Sequence, residues 1–196
     1  KTSMNVKWVV GDDLNRIEVS EDEVLMVLPA IDLKKAKQTA DQVGTRAGYS
    51  GTLLVVEDRL RLGFMSIVNR VFAQVRPKWF GYLAEDAYAG CNWLEKAIRA
   101  LEASPGFSFL GFNDGKWEGA IAGFGLARAE WARHNYAGAF FYPEYSAHYG
   151  DAELTMIAIS EGVYTYDPEA LLVEVDYEKH TRRVNSNDRD LYRRRA

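Results

Sequence analysis

Acidic side chains follow three short apolar segments of the chain, at the point where each segment ends. Asp32 follows the first segment, Glu57 and Asp58 follow the second, and Glu85 and Asp86 follow the third. If the segments are parallel strands, their carboxyl ends meet at one edge of a sheet, where open α/β sheets bind ligands. Carboxylate oxygens suit Mg²⁺ and Mn²⁺, and a metal ion at such an edge usually serves a phosphate. The spacing therefore predicts a site for a divalent ion and a phosphate.

Alternating strands and helices position these residues. The apolar periodicity predicts strands at 24–29, 52–56 and 79–83, and helices at 33–43 and 65–75. Pro29 is expected to end the first strand, and Asp32 to cap the helix that follows it. Buried strands that alternate with helices indicate a doubly wound sheet. We therefore expect a single-domain α/β fold with a Rossmann-like, mostly parallel sheet flanked by helices.

Length and composition narrow the possible functions. The chain has 196 residues, of which 47% are hydrophobic, and it has one cysteine. These values fit one globular domain without an internal disulfide. Lys and Arg number 24 against 28 Asp and Glu, which argues against nucleic-acid binding by the molecule as a whole. No apolar stretch approaches the roughly 20 residues that span a bilayer, so we expect a cytoplasmic protein with no membrane partner.

The second half of the chain has a different character. Residues 107–149 are dense in glycine and aromatic residues, and we expect a strand, a hairpin-like connection and a mobile segment that forms a pocket. Four aromatic residues in these loops could stack on sugars or bases, namely Trp117, Tyr142, Tyr145 and Tyr149. A helix is predicted from 150 to about 160, followed by strands at 163–166 and 171–175. The charged tail 181–196 is expected to be a solvated helix or a frayed end.

A family resemblance covers about residues 24 to 180. The chain has no Walker-type loop, no HExxH, no GxSxG and no GxGxxG after a strand. The order of its segments instead resembles a compact GT-A glycosyltransferase of the kind that uses a nucleotide-diphosphate sugar. The segments that carry this resemblance are 29–32 after the first strand, 57–58 after the second, 63–70 with Asn69, 84–86 in the place of a DxD motif, 150–154 in the place of a helix-opening ED-x-D-L segment, and 162–170 with the later His180.

The resemblance implies a Mn²⁺- or Mg²⁺-dependent transfer of a sugar from a nucleotide-diphosphate donor, with a UDP-sugar favoured, to a hydroxyl acceptor. It places Asp86 and His180 at the metal, and Asp151 as the general base of an inverting reaction. It implies that the nucleotide contacts a further set of residues: Pro29, Asp32, Glu57, Asp58, Asn69 and Glu85. Residues 24–103 would then form the nucleotide-binding part, and residues 104–180 the acceptor side.

The sequence departs from the family pattern at two positions. Ala84 stands where the DxD motif begins, and Gly150 stands where the first acid of the ED pair is expected. Two other functions therefore stay open. One is a non-catalytic, degenerate protein that binds a sugar nucleotide or a glycan, and the other is a nucleotidyltransferase built on a related sheet. The arginines of the tail also leave a polyanionic acceptor open.

Overall fold

A mixed β-sheet organises the protein, seen here in a computed structural model that describes residues 2–17, 23–175 and 184–196. Its strands are β1 (Met4–Val10), β2 (Val24–Ala30), β3 (Gly51–Glu57), β4 (Trp79–Tyr82), β5 (Ala87–Ala89), β6 (Phe109–Asn113), β7 (Gly125–Arg128) and β8 (Tyr164–Glu174). Within the described residues their order across the sheet is β1-β3-β2-β4-β7-β6-β8-β5. The four strands from β1 to β4 pair in parallel. Strand β7 runs antiparallel to β4 and β6, β8 is parallel to β6, and β5 is antiparallel to β8.

Helices cover both faces of this sheet. They are α1 (Leu33–Thr45), α2 (Phe64–Phe72), α3 (Trp93–Glu102), α4 (Ala129–Asn135), α5 (Gly150–Ser160) and α6 (Ser186–Arg195), and a 3-10 helix spans Gly11–Arg16. Helices α1 and α3 bury their apolar residues against one face of the sheet, and α2, α4 and α5 pack on the other. This arrangement confirms the expected α/β fold. Among the described helices, none combines the length and the apolar composition needed to cross a bilayer.

The central strand β2 runs slightly further than expected. All seven of its residues are buried, as its continuous apolar pattern predicts. Pro29 does not end the strand, which continues to Ala30 with Pro29 opposite Val56 of β3. The pairing of β2 with β4 stops at Val27. The proline nitrogen, which has no hydrogen to donate, therefore lies beyond the part of β2 that is paired on both sides.

Strands β1 and β8 differ from the sequence expectation. Strand β1 was not predicted, because it lies at the edge of the sheet, is only partly buried and lacks a continuous apolar run. The two short strands predicted at 163–166 and 171–175 form one strand, β8. The register between β6 and β8 shifts between Gly111 and Asn113, and the Asn113 amide donates a hydrogen bond of 2.9 Å to the Pro168 carbonyl. This irregularity accommodates the proline within the strand.

The charged tail is not frayed where the structure describes it. Helix α6 is held by Asp188, which is 2% exposed and accepts hydrogen bonds from the backbone N–H groups of residues 146–148 at 2.9 to 3.1 Å. Near its other end, the Arg195 guanidinium donates to Glu153 of α5 at 2.7 and 3.3 Å. The described part of the tail is thus a mostly exposed helix, as one of the two expectations had it, and one buried acid and one ion pair attach it to α5 and to the loop before α5.

Candidate active site

The loop between β2 and α1 is tied to the segment after β4 by Glu85. One carboxylate oxygen of Glu85 accepts hydrogen bonds from the backbone N–H groups of Ile31 and Asp32, both at 3.0 Å. Asp32 caps α1 by accepting from the Lys35 N–H at 3.1 Å. Burial raises the pKa of Glu85 above its ordinary value, although these hydrogen bonds and the Lys35 charge act against the shift. The carboxyl ends of β2 and β4 thus meet, as the parallel pattern requires.

Asp58 shapes the turn that follows β3. Its side chain is buried, and its two oxygens accept hydrogen bonds from the N–H groups of Leu62 and Gly63, each at 2.9 Å. The neighbouring Glu57 is partly exposed and forms an ion pair of 3.1 Å with Arg59. The structure therefore uses Asp58 to form the turn before α2, and Glu57 presents the more accessible carboxylate of the pair.

Gly63 and Asn69 bring helix α2 close to the chain that precedes α5. Gly63 has a φ of 102°, and a Cβ in its place would collide with the Ser146 carbonyl. The Asn69 side chain donates to the Phe141 carbonyl at 3.0 Å and accepts from the N–H groups of Phe140 and Phe141 at 3.1 and 2.8 Å. These hydrogen bonds hold α2 against the segment at residues 140–141.

Asp86 lies at the start of the segment that joins β4 to β5. It is 5% exposed, and its backbone carbonyl accepts from the Val175 N–H at 3.0 Å, just beyond the end of β8. Its predicted metal partner His180 lies outside the described residues. In the parts of the chain that are described, no three His, Cys, Asp or Glu side chains are grouped to hold a metal ion. Asp86 is an oxygen donor of the type that Mg²⁺ and Mn²⁺ prefer, which fits such an ion.

Asp151 is the second residue of α5. Burial, with smaller contributions from the charges of Asp114 and Glu174, raises its pKa from 3.8 to about 6, although backbone N–H groups of the first helical turn act in the opposite direction. Its backbone carbonyl accepts from the Thr155 hydroxyl at 2.7 Å, and the Thr155 oxygen accepts from the Ala122 N–H at 3.0 Å. A carboxyl with a pKa near 6 is suited to exchange protons near neutral pH.

Asp114 is a candidate site residue that the sequence pattern did not indicate. It directly follows β6 and is 2% exposed. One carboxylate oxygen accepts from the N–H groups of Lys116 and Trp117 at 2.9 and 3.0 Å, and its backbone carbonyl accepts from the Glu174 N–H at 3.1 Å. The Asn113-Asp114-Gly115 segment indicated only a turn, since its nearness to Asp151 depends on how β6 and α5 pack.

The four aromatic residues that were expected to stack on sugars or bases differ in how exposed their side chains are. Tyr145 is fully buried, and the ring of Tyr149 stacks on the ring of Tyr192 in α6, with a centroid distance of 5.1 Å. The guanidinium carbon of Arg195 lies 3.4 Å from the centroid of the Tyr142 ring. Trp117, by contrast, is 41% exposed. Three of the four side chains therefore pack within the protein, and Trp117 retains a large accessible surface.

Comparison with known structures identifies the fold. No protein-family model and no curated protein sequence matches the chain. Its structure is similar to a mannosyltransferase from Pyrobaculum calidifontis in complex with GDP-mannose and Mn²⁺, with a TM-score of 0.62 and 12% identity over 85% of this chain and 63% of that one. The chain thus spans less than two thirds of that protein.

Two further similar structures have the same fold. Glucosyl-3-phosphoglycerate synthase from Mycobacterium tuberculosis, in complex with Mn²⁺, UDP and glucosyl-3-phosphoglycerate, has a TM-score of 0.55 and 10% identity over 82% of this chain and 74% of that one. Mannosyl-3-phosphoglycerate synthase from Rubrobacter xylanophilus has a TM-score of 0.55 and 12% identity over 87% of this chain and 70% of that one. The chain has the GT-A type of fold, which confirms the fold that the resemblance implied.

Proposed function

We propose that this protein is a metal-dependent glycosyltransferase that moves a sugar from a nucleotide-diphosphate donor, with a UDP-sugar favoured, to a hydroxyl acceptor with inversion. The observation that carries the proposal is the position of Asp151. In a GT-A fold, this carboxyl lies at the start of α5 with a pKa raised to about 6. A base of this kind is what the acceptor hydroxyl requires, and the acidic edge formed by β2, β3 and β4 offers a place for the donor.

The donor would lie at the edge where the carboxyl ends of β2, β3 and β4 meet. Asp86 would hold the divalent ion, together with His180 and water. When bound, Mn²⁺ or Mg²⁺ supplies positive charge against the diphosphate of the leaving group. Glu57, at the end of β3, would contact the base or ribose, and Asp32 and Glu85 would shape the loop beside it. Complexes of the similar structures with GDP-mannose or with Mn²⁺ and UDP support a donor of this class.

The transfer would proceed by a single displacement. The acceptor hydroxyl oxygen forms a bond to the anomeric carbon while Asp151 takes its proton, and the nucleoside diphosphate departs with the electrons of the broken bond. Attack opposite to the leaving group inverts the anomeric configuration, through a transition state with oxocarbenium character. Asp114 and Glu174, which help to raise the pKa of Asp151, would keep this base basic enough to accept the proton.

Calorimetry of nucleotide binding tests the donor site. UDP, GDP, ADP and UDP-glucose are titrated with and without Mn²⁺ into the wild-type protein and into Asp86→Asn, which preserves the shape of the side chain. We expect one nucleotide to bind in a manganese-dependent manner and Asp86→Asn to lose that dependence. Asp41→Asn, at an exposed position of α1, is the matched control and should bind like the wild type. Failure of all four ligands to bind would refute the proposal.

The anomeric outcome tests the finer part of the proposal. With a donor identified, proton NMR of the first transferred product distinguishes inversion from retention. Inversion together with loss of transfer in Asp151→Asn would support Asp151 as the base. Retention, or near-normal turnover in that variant, would remove Asp151 from this role.

A non-catalytic sugar-nucleotide or glycan-binding protein is the second candidate function. Ala84 favours it, because an alanine at the first position of a DxD-like motif removes one carboxylate from the expected metal site. Such a protein would bind a nucleotide or a glycan without turnover. An assay of nucleoside diphosphate release from the bound sugar nucleotide separates the two functions.

A further inference from the structure

An exposed tryptophan lies on the loop between β6 and β7, on the acceptor side of the site. Trp117 is 41% exposed, and its backbone N–H is held by Asp114 at 3.0 Å. The Lys116 ammonium lies 5.1 Å from the centroid of its ring. Because the backbone of this residue is fixed, the indole offers a preformed apolar surface at small cost in conformational entropy.

This loop is hydrogen-bonded to helix α5 through Thr155. The Ala122 N–H donates to the Thr155 hydroxyl oxygen at 3.0 Å, and the Thr155 hydroxyl donates to the Asp151 carbonyl at 2.7 Å. The Tyr82 hydroxyl donates to the Ala122 carbonyl, and the Tyr164 hydroxyl donates to the Gly119 carbonyl at 2.8 Å. The loop that carries Trp117 therefore keeps a constant position relative to Asp151.

A buried carboxylate oxygen lies beside the indole. Among the described residues, none donates a hydrogen bond to Oδ2 of Asp114, although this atom is buried. A Cβ added at Gly123 would lie 2.6 Å from this oxygen and 3.5 Å from Cδ1 of Trp117. A glycine is therefore required at position 123, because a Cβ would collide with this oxygen. A buried acceptor atom of this kind is stabilised when a hydroxyl or a water donates to it.

The charge of this region selects against an anionic ligand. Two acidic residues, Asp114 and Glu118, lie on the loop. The backbone N–H of a third, Glu174, donates to the Asp114 carbonyl at 3.1 Å. A fourth, Asp151, is linked to the loop through the hydrogen bonds of Thr155. Lys116 is the single cation between residues 114 and 123. A phosphate or carboxylate on the acceptor would meet several like charges, whereas neutral hydroxyl groups can donate to them.

We infer that this is an acceptor subsite for a neutral pyranose sugar, whose apolar face stacks on Trp117 among the carboxylates of this region. The inference rests on the proposed function, because it names the acceptor class of the same site. It differs from the phosphoglyceric acid that appears in the complex of one similar structure. The sugar would present a hydroxyl toward Asp151.

Ligand-detected NMR tests the subsite without requiring turnover. Saturation-transfer spectra and titrations are recorded with methyl α-D-mannopyranoside, methyl β-D-glucopyranoside and 3-phosphoglycerate, in the presence and absence of UDP and Mn²⁺. We expect a methyl glycoside to bind and Trp117→Ala to raise its Kd about five- to tenfold, with Trp117→Phe recovering part of the loss. Trp8→Ala is the matched control, since Trp8 is 46% exposed on the edge strand β1.

The outcomes distinguish failure of the proposed sugar subsite from failure of the proposed donor site. The inference is overturned if neither glycoside binds, if Trp117→Ala leaves the Kd unchanged, or if 3-phosphoglycerate binds more tightly than both glycosides. Nucleotide binding to the same samples is measured by calorimetry and should be unchanged in Trp117→Ala. Glycoside binding without nucleotide binding would refute the transferase proposal and leave the sugar subsite intact, whereas the reverse result would remove only the subsite.

Discussion

Replacing Asp151 with asparagine is expected to stabilise the protein while removing its activity. In the folded chain the pKa of Asp151 is raised from 3.8 to about 6, first by burial and then by the charges of Asp114 and Glu174. The folded state therefore binds a proton more tightly than the unfolded state does. Stability must then fall as the pH rises from about 4 to about 6, and the full cost of the charge is present above that range.

The size of this effect follows from the pKa change. A shift from 3.8 to about 6 corresponds to about 3 kcal/mol of folding free energy above pH 6. Since the carboxyl is only partly buried by surface area, we take about 1–3 kcal/mol as the gain from Asp151→Asn at pH 8. For a chain of this size, each kcal/mol raises Tm by about 2–4 °C. Loss of the base should lower the transfer rate by about 10²–10⁴-fold.

Urea denaturation at pH 4, 6 and 8 measures the free energy of unfolding of both proteins. The difference between Asp151→Asn and the wild type should be small at pH 4 and should grow toward pH 8. Asp41→Asn, which changes an exposed carboxylate on α1, should show no such growth. A variant that is less stable than the wild type at pH 8, or a difference that does not depend on pH, would refute the reasoning about this partly buried charge.

Three other predictions concern the same region. The transfer rate should rise with pH and level off above about 6. Asp114→Asn should move the inflection of this profile to lower pH, because a neighbouring negative charge is removed. A rate that falls through this pH range would contradict the assignment of Asp151 as the base. Asp188→Ala should lower the free energy of local unfolding of α6 by about 3 kcal/mol. Hydrogen exchange in residues 146–148 and 186–195 should therefore become faster, whereas Asp190→Ala should leave it unchanged. Equal protection in both variants would show that Asp188 does not hold the helix. Asn69→Ala should lose about 2 kcal/mol of unfolding free energy in urea, and a value matching that of Arg70→Ala, its exposed neighbour, would argue against the three hydrogen bonds of Asn69.

The local pattern of apolar and polar residues was sufficient to predict the strands in the middle of the sheet and two of its helices. Strands β2, β3 and β4 and helices α1 and α5 were expected near their observed positions, because each has a continuous apolar run or a recognisable first turn. Strand β1 was missed, since an edge strand needs fewer buried residues and its pattern is weaker. The docking of α6 was missed for a related reason. The residue that holds it, Asp188, is an acid in a charged segment, and only its buried contacts distinguish it.

The type of sheet and the residues at its carboxyl edge can be predicted from the sequence, because burial in a parallel sheet imposes a pattern on each short segment separately. Which of those residues meet depends on the packing of the folded chain. Glu85 accepts hydrogen bonds from the amides of Ile31 and Asp32, and Asp58 forms its own turn. The charge of Asp114 lies near enough to Asp151 to raise its pKa. Such contacts depend on the packing of segments far apart along the chain, and side-chain burial and the raised pKa of Asp151 arise only from that packing.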